Sequence, residues 1–138
     1  DSLLEIVSQV ISNMTHYVGF SLVEDRKDKL FFWGTRFILE QKEFEDISLL
    51  KNLFSVLENK VSSLWSFLRD KINSEDIRII IGDEITVEEI SSCSVIISPF
   101  KISESRHALT GVLGPVRMDY PQVVAKLRML KEYLEDFF

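Results

Sequence analysis

The sequence predicts an α+β domain in which helices flank a mostly antiparallel sheet and a last helix packs on that sheet. Two observations carry the prediction. Apolar residues recur at helical spacing at both ends of the chain and again in its middle. Between those stretches lie short β-branched and aromatic runs bounded by charged clusters, Gly or Pro, the pattern of strands joined by turns. Strands that come in runs, with helices at either end, point to α+β rather than to alternating parallel units.

Residues 2–15 predict an amphipathic helix, with Leu3, Leu4, Val7, Val10, Ile11 and Met14 on its buried stripe and Ser8, Gln9, Ser12 and Asn13 opposite. Residues 17–23 and 30–33 predict two strands of a hairpin, turned by the charged cluster from Glu24 to Lys29 and ended by Gly34. Residues 35–45 hold Phe37, Ile38, Leu39 and Phe44 without a clean period. From about Asp46, Leu50, Phe54, Leu57, Val61, Leu64 and Leu68 alternate steps of four and three. That spacing fits a heptad seam, but Glu58-Asn59-Lys60 interrupts it, and Trp65, Phe67 and Ile72 widen the apolar face. Two ordinary helices covering a sheet therefore fit better than a coiled coil. A strand over 77–81 ends at Gly82, a short helix lies near 87–90, and strands follow over 93–100 and 107–113. Pro99 marks its strand as an edge or an end, and Gly114-Pro115 is expected to close the next one. The last helix runs over 120–137 with Val123, Val124, Leu127, Leu130, Leu134 and Phe137 on its stripe.

At 138 residues the chain predicts one domain, over 1–138, with room for a core of its own. Its 46% hydrophobic and 28% charged composition excludes a disordered chain. A net charge of -6 repels phosphate backbones, and no Lys/Arg cluster offsets it, so direct nucleic-acid binding is not expected of this segment. The lone Cys93 rules out an internal disulfide or a multi-cysteine zinc site and fits a reducing compartment. The chain contains no membrane-length apolar run. It opens on Asp1 rather than Met, which predicts a piece of a longer protein.

Candidate chemistry is sparse. His16 and His107 lie far apart, with no metal-binding motif around either. Cys93 has only Ser92 and Ser94 beside it and reads as a buried structural thiol. Asp83, Glu84, Glu88 and Glu89 form an acidic stretch without a calcium-loop pattern, better read as turn and helix-start charge. No phosphate-cradling glycine loop is present. No catalytic, cofactor-binding or metal-ligating residue is therefore assigned, and no cofactor is expected.

The segment from Gly111 to Tyr120 is more specific. Gly111 permits close approach of another chain segment. Gly114 is expected to take a positive φ, and Pro115 to fix the direction that follows. Met118 is expected to fill the core beneath the turn. Asp119 is placed to N-cap the last helix, with Gln122 completing a capping box and Pro121 tolerated in the first turn. Arg117 is the one basic side chain of this joint, and its fork could clamp a carboxylate such as Asp83 or Glu84.

Gly114-Pro115-Val116-Arg117-Met118-Asp119-Tyr120 is similar to the GPTRMDY signature of the HrcA family of heat-shock repressors. Residues 77–84 resemble that family's strand and IGxE turn, 88–95 its CSLV stretch, and 41–50 its QPEF segment. Residues 3–20 resemble its first helix and strand after the DNA-binding region. The matches are collinear along nearly the whole chain. Val116 and Lys42 depart from the family's usual Thr and Pro. Between Val23 and Trp33 the chain is much shorter than usual, which implies that part of the core and most of an inserted dimerisation segment are absent. Nothing in 1–138 resembles the family's N-terminal winged helix.

The resemblance implies a GAF-like regulatory and dimerisation domain of a bacterial cytoplasmic repressor. Such repressors act as homodimers on the CIRCE operator of chaperone genes, through a separate domain, and depend on the chaperonin GroEL. They are not enzymes and have no membrane partner. The competing reading is a GAF-like small-molecule sensor with a pocket between sheet and helices, though no convergent polar set supports it. A stand-alone hydrolase would need a nucleophile and base that cannot be assembled from these residues.

Overall fold

The computed structural model describes residues 2–138; Asp1 of the expected 1–138 domain lies outside them. Helix α1 (Ser2–Thr15) leads into strands β1 (Val18–Val23) and β2 (Phe31–Trp33). Two 3-10 turns then carry the chain to α2 (Ile47–Asn59) and α3 (Val61–Arg69). Strands β3 (Arg78–Ile81), β4 (Cys93–Lys101) and β5 (His107–Pro115) follow, and α4 (Tyr120–Phe137) ends the chain. The five strands form one antiparallel sheet in the order β2-β1-β5-β4-β3. This is the α+β, GAF-like arrangement that the sequence predicts.

Alternation along the strands gives the sheet two faces. Val18, Phe20, Leu22, Ile80, Val95, Ile97, Leu109 and Leu113 pack in one core with Leu53, Val56, Leu57, Leu64, Trp65, Phe67 and Leu68 of α2 and α3. Val23, Ile96, Phe100, Ala108 and Val112 pack in a second core with Leu4, Val7 and Ile11 of α1 and Val123, Leu127, Leu130 and Leu134 of α4. The protein is therefore three layers, with two helices on each side of the sheet.

The Glu58–Lys60 interruption separates α2 from α3, as two covering helices require. Asp46 caps α2 by accepting from the Ser48 N–H at 2.9 Å. Residues 35–45, aperiodic in sequence, form the two 3-10 turns and bury Phe37, Ile38 and Phe44. The Glu24–Lys29 turn is fixed by ion pairs, Arg106 to Asp25 at 2.9 Å and Arg69 to Glu24 at 3.2 Å.

Four expectations need correction. Phe137, placed on the stripe of the last helix, is exposed, and the buried stripe of α4 ends at Leu134. Ser8 and Ser12, assigned to the exposed side of the first helix, are buried, whereas Val10 is exposed. Gly19 explains the reversal. A Cβ there would collide with Ser8 O and come within 2.8 Å of Ile11 Cγ2, so its absence lets α1 lie directly on β1. Pro99 does not end its strand. β4 continues to Lys101 against β5, and Pro99 lies beyond the last β3 partner, where Arg78 meets Ile97, so its strand is an edge on that side only. β5 does end at Gly114-Pro115, but two residues later than expected, because both still pair with β4, opposite Ser94 and Cys93.

Candidate functional site

The corner between β5 and α4 holds the residues singled out in the sequence. Gly111 packs under its neighbours as expected: a Cβ would meet Ile96 O and stand 2.7 Å from Phe20 Cζ. Gly114 serves a different purpose from the one predicted. Its φ is not positive; instead a Cβ would fall 2.6 Å from Met118 Cε and 2.9 Å from the Tyr17 ring. The glycine makes room for the methionine, and Met118 is buried in the core shared with α1 and α4. The Pro115 carbonyl accepts from the buried Ser94 hydroxyl at 2.8 Å.

Asp119 caps α4, accepting from the Gln122 N–H at 3.3 Å. The reciprocal half of the expected capping box is missing: Gln122 Oε1 is buried without a partner, and the Asp119 N–H turns to the Tyr17 hydroxyl at 3.4 Å. Pro121 sits in the first helical turn, where no N–H is needed. The Tyr120 hydroxyl donates back to Val116 O and closes the loop. Arg117 is the exception. It is exposed, and no ion pair joins it to Asp83 or Glu84 among the described residues, so the expected clamp does not form. Sequence reasoning missed Tyr17 and Ser94, whose contacts to this corner span 102 and 21 residues.

The remaining candidates are dispersed. His16 follows α1 at φ 61° and stacks on Phe37 at 4.6 Å. His107 opens β5 opposite Lys101, at the other end of the sheet. Cys93 is fully buried, and desolvation pushes its thiol up to about 12, the opposite of a reactive thiolate. Glu89 is paired with Lys60, whose hydrogen bond holds its carboxyl below the ordinary range. Glu84 accepts from the Ile81 N–H at 3.1 Å, and Asp83 and Glu88 are exposed. Among the described residues no three His, Cys, Asp or Glu side chains are grouped to hold a metal ion. The space between the sheet and α2/α3, where a sensor pocket was the alternative expectation, is occupied by Phe20, Trp65, Phe67 and Leu68. An open groove of about 560 Å³ lies instead at the sheet margin, beside Phe100, Lys101, His107, Lys131 and Phe138. No helix of the described residues is long and apolar enough to cross a membrane.

The corner and the strands leading into it fall within a match to the HrcA protein C terminal domain, which covers residues 21–124. This chain belongs to the HrcA family. The heat-inducible transcription repressor HrcA of Symbiobacterium thermophilum is 30% identical over 127 residues, covering 92% of this chain and 37% of the relative. The heat-inducible transcription repressor HrcA of Pelotomaculum thermopropionicum is 34% identical over 118 residues, covering 83% of this chain and 32% of the relative. This HrcA domain thus spans well under half the length of the curated relatives it matches. A solved structure titled as that of a hypothetical protein superimposes with a TM-score of 0.75 at 10% identity, over 99% of this chain and 69% of the other, and shows the shared fold. The HrcA family is one of transcription repressors, which is not an enzyme class.

Proposed function

We propose that this chain is the regulatory and oligomerisation domain of a bacterial heat-shock repressor that silences chaperone operons by binding the CIRCE operator through a separate winged-helix domain. The carrying observation is the family match over residues 21–124 together with relatives named as heat-inducible transcription repressors. The net charge of -6 supports the division of labour, because an acidic surface repels a phosphate backbone and leaves DNA contact to another domain. In this reading the domain works in the cytoplasm as a homodimer, takes GroEL as its chaperonin partner, and carries out no catalysis. Gly111, Gly114, Pro115, Met118, Asp119 and Tyr120 are structural residues of the β5–α4 corner rather than members of a reactive site.

A gel-shift titration on a CIRCE duplex tests the proposal. The parent protein should retard the duplex and the 138-residue chain alone should not. Deleting residues 21–124 from the parent should weaken operator binding by about 100-fold or more, because the two half-sites lose their linkage. Undiminished binding by that deletion, or operator-specific binding by this chain alone, would sink the reading.

A further inference from the structure

The outward side of the α1/α4 layer carries an apolar row that nothing in the described chain covers. Ile6 and Val10 of α1 are exposed, and so are Met129, Tyr133 and Phe137 of α4. The two helices run antiparallel, since the end of α1 meets the start of α4: the Lys126 ammonium donates to Met14 O at 2.6 Å, and the Asp119 N–H reaches Tyr17. From Lys126, steps of three and four lead along one side of α4 to Met129, Tyr133 and Phe137. From Met14, steps of four lead back along α1 to Val10 and Ile6. The two rows therefore flank one seam. Scattered exposed apolar residues need no explanation, but a contiguous row marks an interaction surface.

The α4 row is its own complement. Reverse α4 against a second α4 with the register centred on Lys131, and three pairs form. Ala125 faces Phe137 of the second copy, Lys126 faces Asp136, and Met129 faces Tyr133. Small meets large, cation meets anion, and thioether meets aromatic ring. Two-fold symmetry repeats each pair, as an isologous interface requires. A parallel pairing would instead set Lys126 on Lys126 and Asp136 on Asp136. The bond from Lys126 to Met14 O leaves two of its three N–H donors for such a partner.

We infer that two copies of this chain associate through this face, α4 antiparallel to α4, with Ile6 and Val10 of α1 at its border. The inference rests on the homodimer of the proposed function and names its surface. Sedimentation equilibrium of the 138-residue chain tests it. The unaltered chain should dimerise, and Tyr133→Lys should raise the dissociation constant by about 30-fold or more. Asp136→Lys should weaken the dimer, and Lys126→Glu combined with Asp136→Lys should restore it, with circular dichroism checking that each variant folds. Lys126→Glu also removes the bond to Met14 O, so cysteine crosslinking gives an independent reading. Met129→Cys with Tyr133→Cys should form a crosslinked dimer on oxidation, and Met129→Cys alone should not. A dimer unmoved by Tyr133→Lys, or one that does not crosslink, overturns this surface and leaves self-association standing. A chain that stays monomeric overturns the surface and the homodimer together, while the operator-binding reading is judged separately by the gel shift.

Discussion

The two faces of this sheet are held by opposite means. Toward α2 and α3 the contact is made of bulk, with Phe20, Leu22, Ile97 and Leu109 meeting Leu53, Trp65, Phe67 and Leu68. Toward α1, Leu4, Val7 and Ile11 also bring bulk, but beside them the contact is made of missing bulk. Gly19 admits the α1 backbone, and Gly34, at φ 86°, lies against Ser12. The helix residues facing the sheet include the buried Ser8, Ser12 and Thr15. Their hydroxyls are accounted for. Ser8 Oγ lies 2.9 Å from Leu4 O and 2.9 Å from Ser21 Oγ, Ser21 donates to Thr110 at 3.1 Å, and Thr110 donates to Phe20 O at 2.9 Å. One face gains stability chiefly from apolar area removed from water. The other adds to its apolar core a close approach of backbone and a row of hydrogen-bonded hydroxyls, so it responds to different mutations.

The largest effect is expected where bulk is removed. Leu68 is fully buried in the α2/α3 core, and Leu68→Ala should lower unfolding stability by about 3 kcal/mol in a urea titration. A loss under about 1 kcal/mol would mean this face is loosely packed and the contrast is false. On the α1 face the damaging change is an addition. Gly19→Ala points a methyl at the Ser8 carbonyl, a backbone atom that cannot swing aside, and should cost about 2 kcal/mol in the same titration. A neutral Gly19→Ala would show that α1 is not seated on β1 as described.

A finer test lies within the polar row of that face, where Ser21, Thr110 and Ser98 are cross-strand neighbours. Ser8 is joined to this row, but Ser98 Oγ is buried without a partner. Ser8→Ala should therefore destabilise by about 1 kcal/mol, while Ser98→Ala should be neutral or stabilise by up to about 1 kcal/mol, since an orphan hydroxyl costs its desolvation. Thermal melts of the two variants should shift in opposite directions, or one should shift and the other stay. Equal losses would mean that Ser98 has a partner and that the row is a complete network.

The same contrast explains what the sequence revealed. Bulk announces itself by period: Leu57, Leu64 and Leu68 mark α2 and α3, and the charged break before Val61 marks where one helix becomes two. Close approach leaves no period. A serine at helical spacing looks like a solvated face, and only Gly19 across the contact makes Ser8 an interior residue. Gly114-Pro115 reads locally as a strand end, and β5 does end there, but the pairing with β4 and the Ser94 hydroxyl that keep both residues inside the strand have no local signal. The Asp119 cap was legible because its acceptor and donor are three residues apart. Its second contact, to Tyr17, crosses almost the whole chain and has no local signal.

The smallest expected effect concerns Arg117, in a corner whose other members are each tied down. Met118 fills the space above Gly114, Tyr120 bonds Val116 O, and Asp119 holds the first turn of α4. Asp119→Ala should cost about 1 kcal/mol through the lost cap. Arg117 touches none of this machinery, and Arg117→Ala should leave stability within about 0.5 kcal/mol of the unaltered chain. The comparison separates two reasons for an arginine in so constrained a joint. If it held the corner shut, its removal would match the loss of the cap, and a thermal melt would fall accordingly. An unchanged melt means that the fold does not require this side chain, and that the corner is held by Met118, Asp119 and Tyr120 without it.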